Sequence, residues 1–124
     1  MATREDVAEL LFDIKSAARN GLYHLVTRER SLKGLIDLGL TAPAEVVPIL
    51  LSLTPDNYAT GPEADRDRPG EEVWVFGIDV GGTEAYVKLK RIEDRRSGIG
   101  CRVLILGFHP AERPLEYPLR KGTP

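Results

Sequence analysis

Polar and aromatic side chains alternate along one stretch of the chain, TEAYVKLKRI, whose residue types favour a β-strand. They fall at every second position: Glu84, Tyr86, Lys88 and Lys90. Because strand side chains alternate between the two faces of a sheet, these residues are predicted to share one face, with the apolar residues between them on the other. His109 stands at the end of the next apolar stretch. One sheet face is therefore predicted to carry a phenol and two ammonium groups, with an imidazole nearby.

This set of side chains suits cleavage of RNA without a metal. Attack by a ribose 2′-hydroxyl needs a group that takes its proton, a cation near the phosphorane charge and an acid for the 5′-oxygen that leaves. Histidine changes protonation near neutral pH, so we expect His109 and Tyr86 to carry the proton transfers. Lys88 and Lys90 would hold phosphate. The alternative is a solvated sheet face that carries charges at alternate positions and does no chemistry.

The stretches around these residues predict three consecutive strands: EVWVFGIDV, TEAYVKLKRI and CRVLILGFH. Gly81 and Gly82 separate the first two and predict a hairpin, because a type I′ turn requires positive φ at both central positions. The same letters, GIDVGGT, resemble the phosphate-binding motif of sugar kinases in the actin-like ATPase superfamily. Those domains are much longer and carry the motif near their start, so the hairpin interpretation is preferred.

Helix signals precede the strands. Thr3 and Asp6 predict the capped start of an amphipathic helix, which should end at Asn20-Gly21. LYHLV, which follows, fits either a short strand or the lead-in to a second helix. Two further helices are predicted, with caps at Thr27 or Ser31 and at Thr41.

Residues 59–72, rich in Gly, Pro and alternating charge, predict a mobile loop. Residues 110–124 contain four of the prolines and predict an extended tail anchored by Leu115 and Tyr117. Helices that precede a strand meander predict one α+β domain over residues 1–124, with the helices packed on one face of an antiparallel sheet.

Composition excludes several classes of protein. With 124 residues, 42% hydrophobic, and a net charge of −2, the chain suits a single globular domain and not an indiscriminate nucleic-acid binder. The lone cysteine, Cys101, lies in an apolar strand, which favours a reducing compartment. No apolar run has the length of a signal peptide or membrane span, so we expect a cytoplasmic protein. Two histidines and scattered carboxylates lack ligand spacing, and neither a metal nor another cofactor is predicted.

Four segments occur in an order that points to one family: LTPDNYATGP, VWVFG, EAYVKLK and VLILGFHPAERPLEYPLR. Together, over about residues 30–120, they resemble the MqsR group of bacterial toxins, which are endoribonucleases with a RelE-like fold. The resemblance implies a small RelE-like α+β domain with its active site on the sheet. It also implies a toxin of a type II toxin–antitoxin system that cleaves mRNA and is held inactive by a cognate antitoxin protein.

The family's functional positions are carried over residue by residue. The tyrosine and lysine of its Y-x-K strand fall on Tyr86 and Lys88, and the basic residue that ends its last strand falls on His109. The resemblance thus implies that these three residues are catalytic. The tyrosine of the family's D-x-Y segment falls on Tyr58. The residues expected to bind the RNA substrate are Tyr58, Lys90 and Arg91.

Three positions depart from the family's pattern. The best-known members have a lysine where this chain has Ala59, a glutamine where it has Val75 and a lysine where it has His109. Histidine can serve as an acid or a base, so the change at His109 fits a variant mechanism. The two lost polar groups fit an alternative function, a RelE-like module that has lost catalysis and binds a partner protein or RNA.

Overall fold

The first helix, α1, spans Arg4–Arg19 in the computed structural model, which describes residues 1–26 and 29–120. Its start is the predicted capping box: the Thr3 hydroxyl accepts a hydrogen bond from the Asp6 amide, and the Asp6 carboxylate accepts one from the Thr3 amide at 2.9 Å. Asn20 caps its end and Gly21 follows with φ 73°. The predicted first helix is therefore confirmed at both ends.

Two shorter helices follow, α2 at Glu29–Asp37 and α3 at Val46–Ser52, with 3-10 turns at Pro43–Glu45 and Pro55–Asn57. Of the two caps predicted for the second helix, Thr27 lies outside the described residues, and Ser31 is wrong because it lies inside α2. The predicted cap at Thr41 is wrong, because its hydroxyl donates to the Glu45 carboxylate at 2.7 Å and the helix begins only after the 3-10 turn. Pro48 falls in the first turn of α3, where no intrahelical amide bond is lost.

The five strands form one sheet with the order β1-β5-β4-β3-β2. They are β1 at Tyr23–Leu25, β2 at Tyr58–Ala64, β3 at Glu72–Val80, β4 at Thr83–Asp94 and β5 at Gly100–Pro110. The α+β class is confirmed, as are the three predicted strands. The sheet is mixed, not antiparallel as predicted, because β1 pairs parallel to β5. LYHLV supplies this edge strand, β1, which pairs with β5. Because the two strands are about 80 residues apart in the sequence, their pairing could not be predicted from neighbouring residues.

The loop predicted at 59–72 is wrong for its first half, which belongs to β2 and pairs with β3. The Pro and Gly residues that indicated a loop fit in β2 because it is an edge strand with irregular register. A proline in an edge strand can point its nitrogen away from the sheet, where no neighbouring strand needs an amide hydrogen bond. Residues 65–71 form the shorter connection that remains.

The core lies between the helices and one face of the sheet. Leu10 and Ile14 of α1 pack there with Val87 of β4 and Ile105 of β5, all at 0–1% exposure. The opposite face, which we call the open face, carries Val75, Tyr86, Lys88, Gly107 and His109. Within residues 1–26 and 29–120, no helix has the length and apolar character needed to cross a membrane.

Candidate active site on the open face

Tyr86 and His109 are direct cross-strand partners of β4 and β5. Their rings stack with centroids 4.9 Å apart and planes 18° from parallel. Both residues are half-buried on the open face. A phenol and an imidazole, the two groups expected to transfer protons, are therefore brought into contact.

A β-bulge puts His109 on this face. Lys88 pairs with Gly107 and Leu89 pairs with Ile105, so Leu106 is an extra residue in β5. Without it, strict alternation would place His109 on the same face as Ile105, which lies in the core. The extra residue reverses the alternation, so that Phe108 becomes a core residue at 0% exposure and His109 faces outward.

Gly107 forms the floor between the three expected catalytic side chains. A Cβ built there would lie 3.5 Å from the Lys88 Cβ, 3.7 Å from Cε1 of Tyr86 and 3.9 Å from Cδ2 of His109. Because Gly107 has no side chain, no Cβ stands between these three residues where their side chains meet. Lys88 has no hydrogen bond or ion pair to any described residue, so its half-buried ammonium is available to an anion.

The tautomer of His109 follows from its local hydrogen bond. Its Nδ1 lies 2.8 Å from the carbonyl oxygen of Pro110. Since a carbonyl can only accept, Nδ1 carries the hydrogen and donates, which leaves Nε2 of the neutral ring as the proton acceptor. The ring therefore presents a base.

Helix α2 braces the end of β5 where His109 stands. A Cβ at Gly34 would lie 2.5 Å from both the Phe108 carbonyl oxygen and the His109 Cβ. Only glycine lets the helix come this close to the strand backbone. The helix thereby fixes the strand segment that carries the imidazole.

Residues 111–120, which we call the strap, cross the open face beside Tyr86. Glu84 holds the strap: its carboxylate accepts from the Leu115 amide at 3.0 Å and from the Tyr117 hydroxyl at 2.6 Å, and its carbonyl accepts from the Ala111 amide at 2.8 Å. Burial and the hydrogen bond to Glu84 raise the pKa of the Tyr117 phenol well above its ordinary value, which keeps it a donor. The predicted anchors of the extended tail, Leu115 and Tyr117, are confirmed.

The strap seats on Gly77 of β3. A Cβ there would lie 2.2 Å from the Tyr117 hydroxyl oxygen and 2.6 Å from Cδ1 of Leu115, so any side chain at this position would displace the strap. At its far end, the Arg120 guanidinium lies 4.1 Å from the centroid of the Tyr117 ring, and Arg4 donates to the Leu119 carbonyl at 2.8 Å. The strap is therefore held along its length.

Two of the cavities lined by described residues have a member of the proposed site in their lining. The first, which we call the strap groove, has a volume of about 780 Å³ and runs between β2 and the strap, with Tyr86 and Val75 in its lining. The second, the lysine cavity, has a volume of about 340 Å³ and is lined by Lys88, Leu106 and residues 63–67. Glu63 lines both. The trio of Tyr86, Lys88 and His109 thus has one member in the lining of each recess, Tyr86 in the strap groove and Lys88 in the lysine cavity.

Lys90 was expected to hold substrate phosphate, but the structure gives it two protein carboxylates. It is 3% exposed, and its ammonium pairs with Asp65 and, at 2.8 Å, with Glu71. Burial by itself would lower the pKa of Lys90, yet the hydrogen bonds that its ammonium donates to Asp65 and Glu71 outweigh burial and leave that pKa raised. Lys90 lies on the face predicted for it, but the connection 65–71 covers it, and we leave it out of the proposed site.

Tyr58 and Arg91 also lie apart from the trio. Tyr58 is 1% exposed, packs edge-on against Trp74 and Phe76 with centroids 6.3 Å away, and donates to the Gly61 carbonyl at 2.5 Å. Arg91 faces the helices and pairs with Asp13 of α1 at 2.6 Å. The expected substrate-binding role of these two residues is therefore not part of the proposed site.

Local reasoning missed Gly107 and Gly34, and it missed the role of Glu84. Alternation placed Glu84 on the shared face, but the strap residues that it holds lie 31 and 33 residues away. The importance of the two glycines cannot be predicted from the sequence, because it depends on the distant residues that pack close to each glycine in the folded protein. Among the described residues, no group of His, Cys, Asp and Glu could hold a metal ion.

No family model matches this chain, and no curated protein or solved structure matches it significantly.

Proposed function

We propose that the chain is a metal-independent endoribonuclease that cleaves mRNA and acts as the toxin of a toxin–antitoxin pair. The observation that carries the proposal is the convergence, around Gly107, of the stacked Tyr86–His109 pair and the Lys88 ammonium, which pairs with no described residue. The resemblance to the MqsR group, stated above from the sequence, supplies the RelE-like fold type, the mRNA substrate and the antitoxin partner.

The reaction needs one base, one cation and one acid, and the site offers each. Nε2 of His109 takes the proton of the ribose 2′-hydroxyl as its oxygen attacks the adjacent phosphorus. The Lys88 ammonium stabilises the charge that develops on the phosphorane oxygens. The bond from phosphorus to the 5′-oxygen breaks, and the Tyr86 hydroxyl gives that oxygen a proton. The products are a 2′,3′-cyclic phosphate and a free 5′-hydroxyl, and solvent returns the proton from imidazolium to phenolate.

Expression from a tightly repressed promoter tests the proposal in cells. Wild type is expressed beside Tyr86→Phe and His109→Ala, with growth and mRNA integrity followed together. Growth arrest with cleaved mRNA in wild type, and neither in the two variants, is the expected result. Normal growth with intact mRNA in all three would overturn the nuclease proposal.

The chemistry is tested in vitro with purified protein and a single-stranded RNA in the presence of a chelator. The expected products carry cyclic phosphate ends, and an RNA with 2′-O-methyl groups throughout is expected to resist. Cleavage of the methylated RNA, or products with 5′-phosphate ends, would exclude attack by the 2′-oxygen.

A second candidate function, a binding module without catalysis, is favoured by one surface. Leu32 and Ile36 lie one helical turn apart on α2 and are 45% and 73% exposed. Adjacent exposed apolar residues are typical of a surface that a partner covers. This candidate predicts unimpaired growth on expression together with tight binding to a small protein encoded beside it, and Ile36→Lys should weaken that binding.

A further inference from the structure

The strap groove lies next to the proposed catalytic trio. Its lining residues differ in chemistry from those of the lysine cavity. Apolar side chains, Ala59, Val75 and Leu115, form much of its lining, and Tyr86, a member of the trio, lines it as well. Apolar walls with an aromatic ring suit a flat, uncharged ring system and not a phosphate.

Within the part of the chain that the structure describes, the charged side chains that line the groove are both carboxylates, Glu63 and Glu116. Both are exposed at its rim, and neither has a hydrogen bond or ion pair to any described residue. Among the described residues that line the groove there is no Lys, Arg, Asn or Gln, and its hydroxyl groups are those of Thr60 and of Tyr117, which donates to Glu84. A ligand edge that reaches these carboxylates is therefore favoured when it carries N–H donors, because carboxylates accept hydrogen bonds and repel carbonyl oxygens.

We propose that the strap groove binds one unpaired purine base of the RNA and selects it by its exocyclic amino group, which donates to Glu63 or Glu116. This inference rests on the proposed function, since the base in the groove belongs to the strand whose phosphate lies at Lys88. The large volume of the groove, about 780 Å³, admits the two fused rings of a purine. In this arrangement the Tyr86 side chain contacts His109 on one side and the base on another.

The strap forms one wall of this groove, and the hydrogen bonds to Glu84 fix the position of the strap. Pro114 and Pro118 stiffen the wall on either side of the anchored residues Leu115 and Tyr117. Glu84 is accordingly a positioning residue for base binding, which acts through the strap and does not touch the base.

The test uses tetranucleotides with 2′-O-methyl groups throughout, which cannot undergo attack by the 2′-oxygen. Adenine and guanine oligonucleotides are each compared with a counterpart that lacks only the amino group, purine and hypoxanthine respectively. Dissociation constants are measured by fluorescence anisotropy at one salt concentration. Because the phosphates are identical within each pair, contacts to Lys88 cancel, and the ratio of the two constants reports the amino group alone.

We expect one amino-bearing oligonucleotide to bind about tenfold more tightly than its counterpart, the effect of one hydrogen bond to a charged acceptor. Glu63→Gln or Glu116→Gln should reduce this ratio toward unity. Glu72→Gln, an exposed glutamate of β3 that lines a different cleft, is the matched control and should leave the ratio unchanged.

Equal affinity within both pairs, a ratio that survives in both glutamine variants, or no binding of any of the four oligonucleotides would overturn the inference. Cleavage of unmodified RNA is measured separately. Cleavage without amino-group selection would refute the groove assignment and leave the nuclease proposal standing, whereas selective binding without cleavage would refute the nuclease and leave the groove assignment standing.

Discussion

The imidazole of His109 stacks on the phenol ring of Tyr86 at 4.9 Å, and this contact depends on one extra residue in β5. Leu106 interrupts the alternation of the strand, so that the histidine leaves the core face and joins the tyrosine. Bulges that re-aim a single side chain are common next to active sites. The proposed chemistry begins from this relationship.

Replacement of His109 by alanine is expected to slow RNA cleavage by about 10²- to 10⁴-fold, the usual contribution of a general base. The rate is measured under single-turnover conditions with a chelator present. His24→Ala is the matched control, because the chain's other histidine is exposed on β1 and its cross-strand partner is Leu104, not a residue of the trio. A variant that cleaves at the wild-type rate would remove His109 from the site.

The two lysines of β4 are expected to differ sharply. Lys88→Met should lower the cleavage rate with little change in the thermal unfolding midpoint, because Lys88 pairs with no described residue. Lys90→Met should lower the unfolding midpoint, because it leaves the carboxylates of Asp65 and Glu71 without their cation. Thermal unfolding and cleavage are measured on both variants. A stable, inactive Lys90→Met protein would place Lys90 in the site after all.

The Asp65–Lys90 pair should stabilise the fold over a defined range of pH. The hydrogen bond from Lys90 holds the pKa of Asp65 below its ordinary value of 3.8, so this carboxylate contributes stability above pH 3.8 and loses it as the pH falls through the lowered pKa. The pKa of Lys90 is raised above 10.5, so its contribution is complete below pH 10.5 and is lost as the pH rises through the raised pKa.

Urea unfolding of wild type and Asp65→Asn, followed as a function of pH, measures this contribution. Wild type should have the larger free energy of unfolding at neutral pH, and the gap should close in acid, below the ordinary pKa of 3.8. The comparison with the variant is needed because Asp6 and Asp94 also have lowered pKa values and titrate in the same acid range. A gap that is the same at neutral and acid pH would show that Asp65 does not stabilise the fold through its charge.

Two glycines of the open face are expected to respond oppositely to substitution. Gly77→Ala should displace the strap and cost about 1–3 kcal/mol, the usual effect of overpacking, since its Cβ would fall 2.2 Å from the Tyr117 oxygen. Gly107→Ala meets neighbours only at 3.5 Å or more and should fold normally. Gly107→Val should fold as well, but should weaken RNA binding by filling the floor of the site.

Unfolding free energies and RNA dissociation constants are measured on all three glycine variants. If Gly107→Val binds RNA as wild type does, the substrate does not lie over that residue.

Much of the architecture could be predicted from local patterns. The capping box at Thr3, the glycine pair at Gly81 and Gly82 and the period-two alternation of β4 each depend on residues a few positions apart. Local backbone chemistry settles such features, so the first helix, the hairpin and the three long strands were predicted correctly. The shared face of Tyr86 and Lys88 follows from the same alternation.

Only the tertiary structure decided what these elements do together. Pairing between β4 and β5 introduced the bulge that turned His109 outward, and pairing between Lys90 and Asp65, 25 residues apart, buried a lysine expected at the surface. LYHLV became a strand only because the edge of β5 was free to pair with it. Each outcome depends on a contact between segments that are distant in the sequence. Such a contact cannot be predicted from the residues on either side of the position concerned.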